Sequence, residues 1–231
     1  MRRMLNFKLT KLEIFIWIFS LISLSVSYLL TDSTLLFLLS TMIGVTALVF
    51  LAKGEPLGQV LTIIFSTLYA IIAYELRYYS EVITYLGMTM PSAFIALLIW
   101  LKNPFLKNKS VVRIEKLTRK KILASLVLTP VVTSLFFLIL KNLSTPYLLI
   151  STISIATSFL AALMMFFRSR HYAIFYALND LVLIILWLLA TWKDLSYFPM
   201  VICFIIFFIN DSYAYFSWKK LNIIQMGSLN S

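Results

Sequence analysis

Eight apolar blocks, separated by short polar or basic breaks, account for most of this chain. They fall at Ile14–Leu30, Leu35–Ala52, Gln59–Tyr74, Val82–Leu101, Ile122–Leu140, Leu148–Phe167, Tyr172–Trp192 and Phe198–Trp218. Blocks of this size cross the ~30 Å hydrocarbon core of a bilayer as helices of roughly 17 to 25 residues. The third is the short one, which permits a kink or a partly wet end. The seventh, YAIFYALNDLVLIILWLLATW, stands apart because it places Asn179 and Asp180 near mid-membrane. A carboxylate at that depth costs about 2.5–3.5 kcal/mol by the lower estimates and is retained for a reason. At helical spacing Tyr172, Phe175, Tyr176 and Trp187 share a side with that pair. Two readings follow: a polar cavity with aromatic walls, or a hydrogen bond between helices in a bundle core.

Composition agrees with the blocks. Of 231 residues 61% are hydrophobic and 13% charged, with no polar segment long enough for a soluble domain. The expected fold class is therefore an all-α polytopic membrane protein with eight transmembrane helices. A net charge of +11 would suggest nucleic acid in a soluble chain. Here the basic residues lie between apolar blocks, so topology explains them and no nucleic-acid partner is expected. With the N-terminus inside, seventeen lysines and arginines fall on inner segments, Arg2, Arg3, Lys8 and Lys107 among them. Only Arg77, Lys141 and Lys193 fall outside. Both termini are thus expected in the cytoplasm. Cys203 is alone in an apolar block, so neither a disulfide framework nor a metal centre is expected.

An offset of 118 residues pairs Trp100 with Trp218, Tyr69 with Trp187, Tyr74 with Trp192 and Tyr79 with Tyr197. These pairings suggest that blocks two to four are repeated as blocks six to eight. The fifth block then keeps the copies parallel, and the first is an addition. Three-plus-one-plus-three with parallel repeats is the SWEET-like transporter plan, with a central site between the halves. Residues 1–34 would carry the extra N-terminal helix and 35–101 the first repeat. A basic cytoplasmic loop and linker helix fill 102–147, the second repeat 148–220 and a tail 221–231.

Several residues carry candidate chemistry. Ser151, Ser154 and Ser158 share a helical face, which favours close helix packing ahead of a hydroxyl rail toward a cavity. Asp211, beside Asn210, either bonds a neighbouring helix or joins Asp180 in a negative pocket for a cationic ring. Tyr69, Tyr85, Thr89 and Ser92 are candidates for the opposite wall. Pro91 would free a carbonyl in the fourth block. Glu75, Arg77 and Glu81 read as a solvated outer mouth. The loop 102–121 is basic and mildly amphipathic, suited to lipid headgroups or to a partner. His171 sits between Arg170 and Tyr172, where Arg168 and Arg170 would disfavour its protonation. No catalytic set and no phosphate-cradling glycine loop appears, so no enzyme activity and no cofactor is expected.

The segments GVTALVFLAKG (Gly44–Gly54) and LYAIIAYELRYYSEV (Leu68–Val82) resemble the PnuC-type vitamin transporters. So do Pro91 with Phe94, Ile95 and Trp100, RSRHYAIFYALND from Arg168, and NDSYAYFSWKK from Asn210. The resemblance implies the SWEET-like plan, a homotrimer in the bacterial inner membrane, and facilitated diffusion of nicotinamide riboside. A cytoplasmic kinase would then trap the product by phosphorylation. The family's Trp-x-x-Trp before the asparagine reads Tyr172-x-x-Phe175 here, while Asn179 matches. Polar family positions fall on Phe65, Tyr85 and Ala93, and Asp180 and Asp211 stand where the family has apolar or small residues. Relatives carry other vitamins, thiamine among them, and thiamine and nicotinamide riboside are both flat cations. The expected substrate site is Tyr172, Phe175, Tyr176, Asn179, Asp180, Trp187 and Asp211, faced by Tyr69, Tyr85 and Thr89.

Overall fold

The computed structural model describes residues 9–31, 34–75, 78–105 and 108–229. Arg2, Arg3, Lys8, Arg77 and Lys107 lie outside them, as does the side chain of Tyr79. The described helices are α1 (Lys11–Leu29), α2 (Leu35–Ala52), α3 (Leu57–Glu75), α4 (Tyr79–Thr84), α5 (Met90–Lys102), α6 (Arg119–Asn142), α7 (Leu148–Phe166), α8 (Tyr172–Lys193) and α9 (Phe198–Leu229). A π-helical turn, Tyr85–Thr89, joins α4 to α5, so these three make one span. Eight spans of sufficient length and hydropathy result, and the chain is a polytopic helical membrane protein.

Local chemistry explains where the helices begin. Thr10 caps α1 in a reciprocal box: its hydroxyl accepts from Glu13 N, and Glu13 accepts from Thr10 N at 2.6 Å. Thr34 and Thr118 cap α2 and α6 through their hydroxyls. In the fourth span Pro91 lacks an N–H and its ring would crowd the carbonyl of Gly87 in a regular α-helix. The π turn ahead of it is the local rewinding that removes that conflict.

The spans form two groups that face one another. One holds α2, α3 and the fourth span; the other holds α7, α8 and α9, with α2 against α9 and α5 against α7 closing the seam. Lipid supplies no hydrophobic force between helices, so close approach depends on small residues. At Gly44 a Cβ would stand 2.8 Å from Phe207 Cζ and 2.9 Å from Phe65 Cδ2. Helix α6 lies against α7 and turns Leu123, Leu126, Leu135 and Leu138 outward. Water would make that surface costly at about 25 cal/mol per Å², whereas a bilayer accepts it.

Helix α1 is held by polar contacts as well as by Leu24, which is fully buried in the core. Trp17 Nε1 donates to Thr46 Oγ1 at 3.2 Å, Asn210 Nδ2 to Ser20 Oγ at 3.1 Å, and Tyr213 OH to Glu13 Oε1 at 2.8 Å. Lys53 completes the set, 2.7 Å from Glu13 Oε2.

Two segments differ from the sequence reading. The loop expected on headgroups contains a hairpin, β1 (Pro104–Phe105) with β2 (Asn108–Val112), folded onto the helix ends. Val111 and Val112 are buried there, Val112 N donates to Gly54 O, and Gly54 adopts φ +70°, which suits a residue without Cβ. The expected tail is helical instead, because α9 continues to Leu229. Its Gln225 is the reason: the side chain donates to Val112 O and accepts from Ile114 N, so the extension clamps the loop.

Candidate functional site

The two groups of helices enclose a chamber between them. Its walls come from α2 (Gly44, Ala47, Leu48, Leu51), α3 (Gln59, Thr62, Phe65), and the fourth span (Glu81, Thr84, Tyr85, Thr89). The second group contributes Ser154, Ser158 and Met165 of α7, Tyr176, Asn179, Asp180 and Leu183 of α8, and Phe204, Phe207 and Asp211 of α9. The cavity between these walls has a volume of about 70 Å³. The chamber is narrow, and a guest of vitamin size must push rings aside.

Helical spacing puts Tyr176, Asn179, Asp180 and Leu183 on the inward stripe of α8. Asn179 Oδ1 accepts from Ser154 Oγ at 3.1 Å and Thr157 Oγ1 at 2.9 Å. Those bonds fix the amide plane and leave its N–H₂ for the chamber. Asp180 and Asp211 are 4% and 3% exposed, and both line the chamber. Among the described residues no donor reaches Asp180 Oδ2, Asp211 Oδ1 or Glu81 Oε2, and no acceptor meets Gln59 Nε2. Buried polar atoms without partners are expensive, at about 1–3 kcal/mol each, so four around one chamber mark a place for a guest.

The expected residues divide. Tyr85, Thr89, Tyr176, Asn179, Asp180 and Asp211 come together in the lining. Tyr172 does not: its hydroxyl donates to Leu51 O, its ring meets Trp218 at 4.7 Å, and it closes the basic end of the chamber. Phe175 is half-buried beside it. Trp187 packs on Tyr78 and Tyr197 at the opposite end, and Tyr69 stands behind Tyr85 at 4.2 Å. Ser92 is also absent from the lining. Tyr78, beside the far end, is pushed up to about 12 by burial and stays neutral.

Other readings shift. Ser154 and Ser158 do line the chamber, so the hydroxyl rail describes them better than packing alone. Asn210 turns to α1, away from Asp211. Glu81, read as part of a solvated mouth, is buried in the lining, because α4 rolls it inward. Gln59, read as the edge of a span, is 2% exposed and lines the chamber from one turn inside α3. A lone glutamine next to an apolar run was the available signal. His171 is held below its ordinary pKa by burial first and Arg170 second. Arg168 instead pairs with Glu115.

A model of the family described as nicotinamide mononucleotide transporter matches residues 34–220. The nicotinamide riboside transporter PnuC of Neisseria mucosa is 24% identical over 182 residues, covering 77% of this chain and 69% of that protein. A crystal structure of the vitamin B3 transporter PnuC matches with a TM-score of 0.81 at 22% identity, covering 94% of each chain, and supports the fold.

Proposed function

Because the chain belongs to the nicotinamide mononucleotide transporter family, a family of transporters and not of enzymes, we propose that it takes up a small aromatic cation by facilitated diffusion. Nicotinamide riboside is the first candidate, since it is the cargo named for the Neisseria relative. The observation that carries the reading is the chamber's charge: three carboxyls, Glu81, Asp180 and Asp211, and among the described residues no lysine or arginine in the lining. A flat cation leaves water only where aromatic faces and carboxylates replace its hydration. Tyr85, Tyr176, Phe65 and Phe207 supply the faces, Asn179 and Gln59 the neutral hydrogen bonds. Thiamine is the second candidate, a flat cation that the same carboxylates would take.

In its simplest form this is uniport by alternating access. The two helix groups form the parallel repeats of a SWEET-like carrier, assembled as a homotrimer, with both termini in the cytoplasm. Phosphorylation by a cytoplasmic kinase keeps the product inside. The test is uptake of labelled nicotinamide riboside and of thiamine into vesicles holding the purified protein. One of them enters, is recovered chemically unchanged, and enters at least about tenfold more slowly in Asn179→Ala. Equal uptake by empty vesicles discards the proposal.

A further inference from the structure

Outside the chamber, a second cavity of about 350 Å³ lies at the basic end. Its walls are the loop after β2, the turn between α7 and α8, and the extension of α9. Lys116 comes from the loop, Arg170 and His171 from the turn, and Asn222 from α9, while Ile114, Leu117 and Met226 are the apolar part. Glu115 is the one carboxyl in the lining among the described residues, and it is already spent on Lys121, at 2.7 Å, and on Arg168. Neither Lys116 nor Arg170 has a carboxylate partner among the described residues. His171 is the N-cap of α8, no side chain caps that end, and the helix dipole favours an anion beside it. Ser169 Oγ lies 3.0 Å from His171 Nδ1. Donation by that hydroxyl puts the ring proton on Nε2, where a guest can take it. A separate sign comes from Arg168, which stands beside the cavity between Glu115 and Ser169. It is 9% exposed, and its Nη1 finds no acceptor among the described residues. A buried guanidinium hydrogen left unbonded is costly, and an anion is what satisfies it.

We propose that this cavity binds a phosphate group, and that binding locks the basic end shut and slows the carrier. Guanidinium, ammonium, imidazole N–H and a helix N-terminus are the donors that phosphate takes, and the apolar wall suits the carbon portion attached to it. The lock follows from what the loop spans, because residues 110–117 tie the two helix groups together. On one side Val112 N donates to Gly54 O at 2.9 Å and Ser110 Oγ to Glu55 Oε1 at 2.8 Å, at the turn between α2 and α3. On the other Glu115 N donates to Arg168 O at 3.1 Å, and Gln225 of α9 holds Ile114 N and Val112 O. The basic end opens only if one side of this strap lets go. A phosphate that bridges Lys116 of the strap to Arg170 of the turn binds the fastened form better and shifts the population toward it. The slowing rests on the uptake proposed above, whereas the binding does not. Phosphate has two sources at this face: a soluble phosphomonoester, such as the trapped product, and an anionic lipid headgroup.

The test uses the whole protein in phosphatidylcholine vesicles. The probes are nicotinamide mononucleotide or thiamine monophosphate on the basic side, or phosphatidylglycerol mixed into the bilayer. At least one should slow amide exchange in residues 112–117 about tenfold and slow uptake of nicotinamide riboside or thiamine severalfold. A response to a monophosphate identifies the soluble source, and a response to phosphatidylglycerol alone identifies the lipid. Arg170→Gln and Lys116→Gln, both outside the chamber, should each weaken the response about tenfold and leave uptake without probe within about twofold. If Arg170→Gln does not fold, Lys116→Gln, at an exposed loop position, decides. Exchange that no probe changes, or that changes equally in the variants, overturns the site. Slower exchange with uptake unaltered overturns the lock. Vesicles that take up neither vitamin discard the uptake reading, and amide exchange still decides whether phosphate binds.

Discussion

At the basic end of the chamber, aromatic side chains close the path and also donate to main-chain carbonyls. Trp218 Nε1 and Tyr172 OH both reach Leu51 O, at 2.8 and 3.2 Å, and Trp100 Nε1 reaches Met165 O at 3.3 Å. Trp100 and Trp218, paired by the 118-residue offset, meet there with centroids 5.5 Å apart. At the opposite end the rings that meet across the seal, Tyr69 on Tyr85 and Tyr78 between Trp187 and Tyr197, hold by stacking, and the one such bond to the main chain there is at its edge, Tyr147 OH to Leu189 O at 3.0 Å, among the described residues. The Tyr69 hydroxyl and the Trp187 indole, both buried, find no carbonyl. A buried hydrogen bond adds about 1 kcal/mol to what must be undone on opening, and its geometry is exacting. Stacked rings slide and rotate with less loss. The stacked end also abuts the π turn, where the fourth span already departs from a regular helix. Access should therefore open more readily at that end.

The largest expected effect follows from truncating the bonded seal. Trp218→Ala should lower stability by about 3–5 kcal/mol, since it empties a buried site and removes the indole donor from Leu51 O, which keeps Tyr172 OH and Gly54 N. Trp187→Ala should cost about 1 kcal/mol less, having no such bond to lose. Thermal unfolding in detergent compares the two, and equal losses would break the contrast. Next comes Trp218→Phe, which keeps a ring but drops the donor. It should cost about 1–2 kcal/mol and increase labelling of a cysteine placed in the chamber from the basic side. Unchanged labelling would show that the hydrogen bonds do not hold that gate.

A smaller effect is expected at the hinge. Pro91→Ala allows the fourth span to wind as a continuous α-helix and should slow uptake severalfold, with stability changed by less than about 1 kcal/mol. Uptake at the wild-type rate would remove the π turn from the gating motion. The smallest effect concerns the hairpin over the basic end. There Lys121, hydrogen-bonded to Glu115, together with Arg168 holds the Glu115 carboxyl below its ordinary value of 4.5. Its contribution is complete above that value and is lost as pH falls through the lower folded one. Amide exchange in Val112–Leu117 should therefore quicken at acidic pH in the wild type. In Glu115→Gln it should be equally fast at neutral pH, and pH-independent protection would discard the clamp.

Much of the architecture was legible because partition between lipid and water is a property of each segment. Hydropathy alone places the eight spans, with helix ends differing from expectation by a few residues. Asn179 was legible as well, being an amide in mid-span on an aromatic face, and the structure does put it in the chamber wall. Trp187 shows the limit. It shares a face with Asn179 on a helical wheel, yet two turns along α8 the chamber has already ended and the same face meets Tyr78. Glu81 and Gln59 lay at span edges where water was the natural assumption, and only the inward roll of α4 and α3 makes them wall residues.

By itself, then, the sequence determined the number of spans, the basic face, and one helix with a polar stripe in the membrane. Only the tertiary structure decided that Asp180 and Asp211 line one chamber, that Asn210 turns the other way, and that Tyr172 seals the chamber and does not line it. The physical reason is rotation. Hydrocarbon surrounds every helix alike and gives little preference for its turn about its own axis, so close contacts at positions such as Gly44 set that angle. A few tens of degrees separate a carboxyl that faces its partner from one that faces lipid.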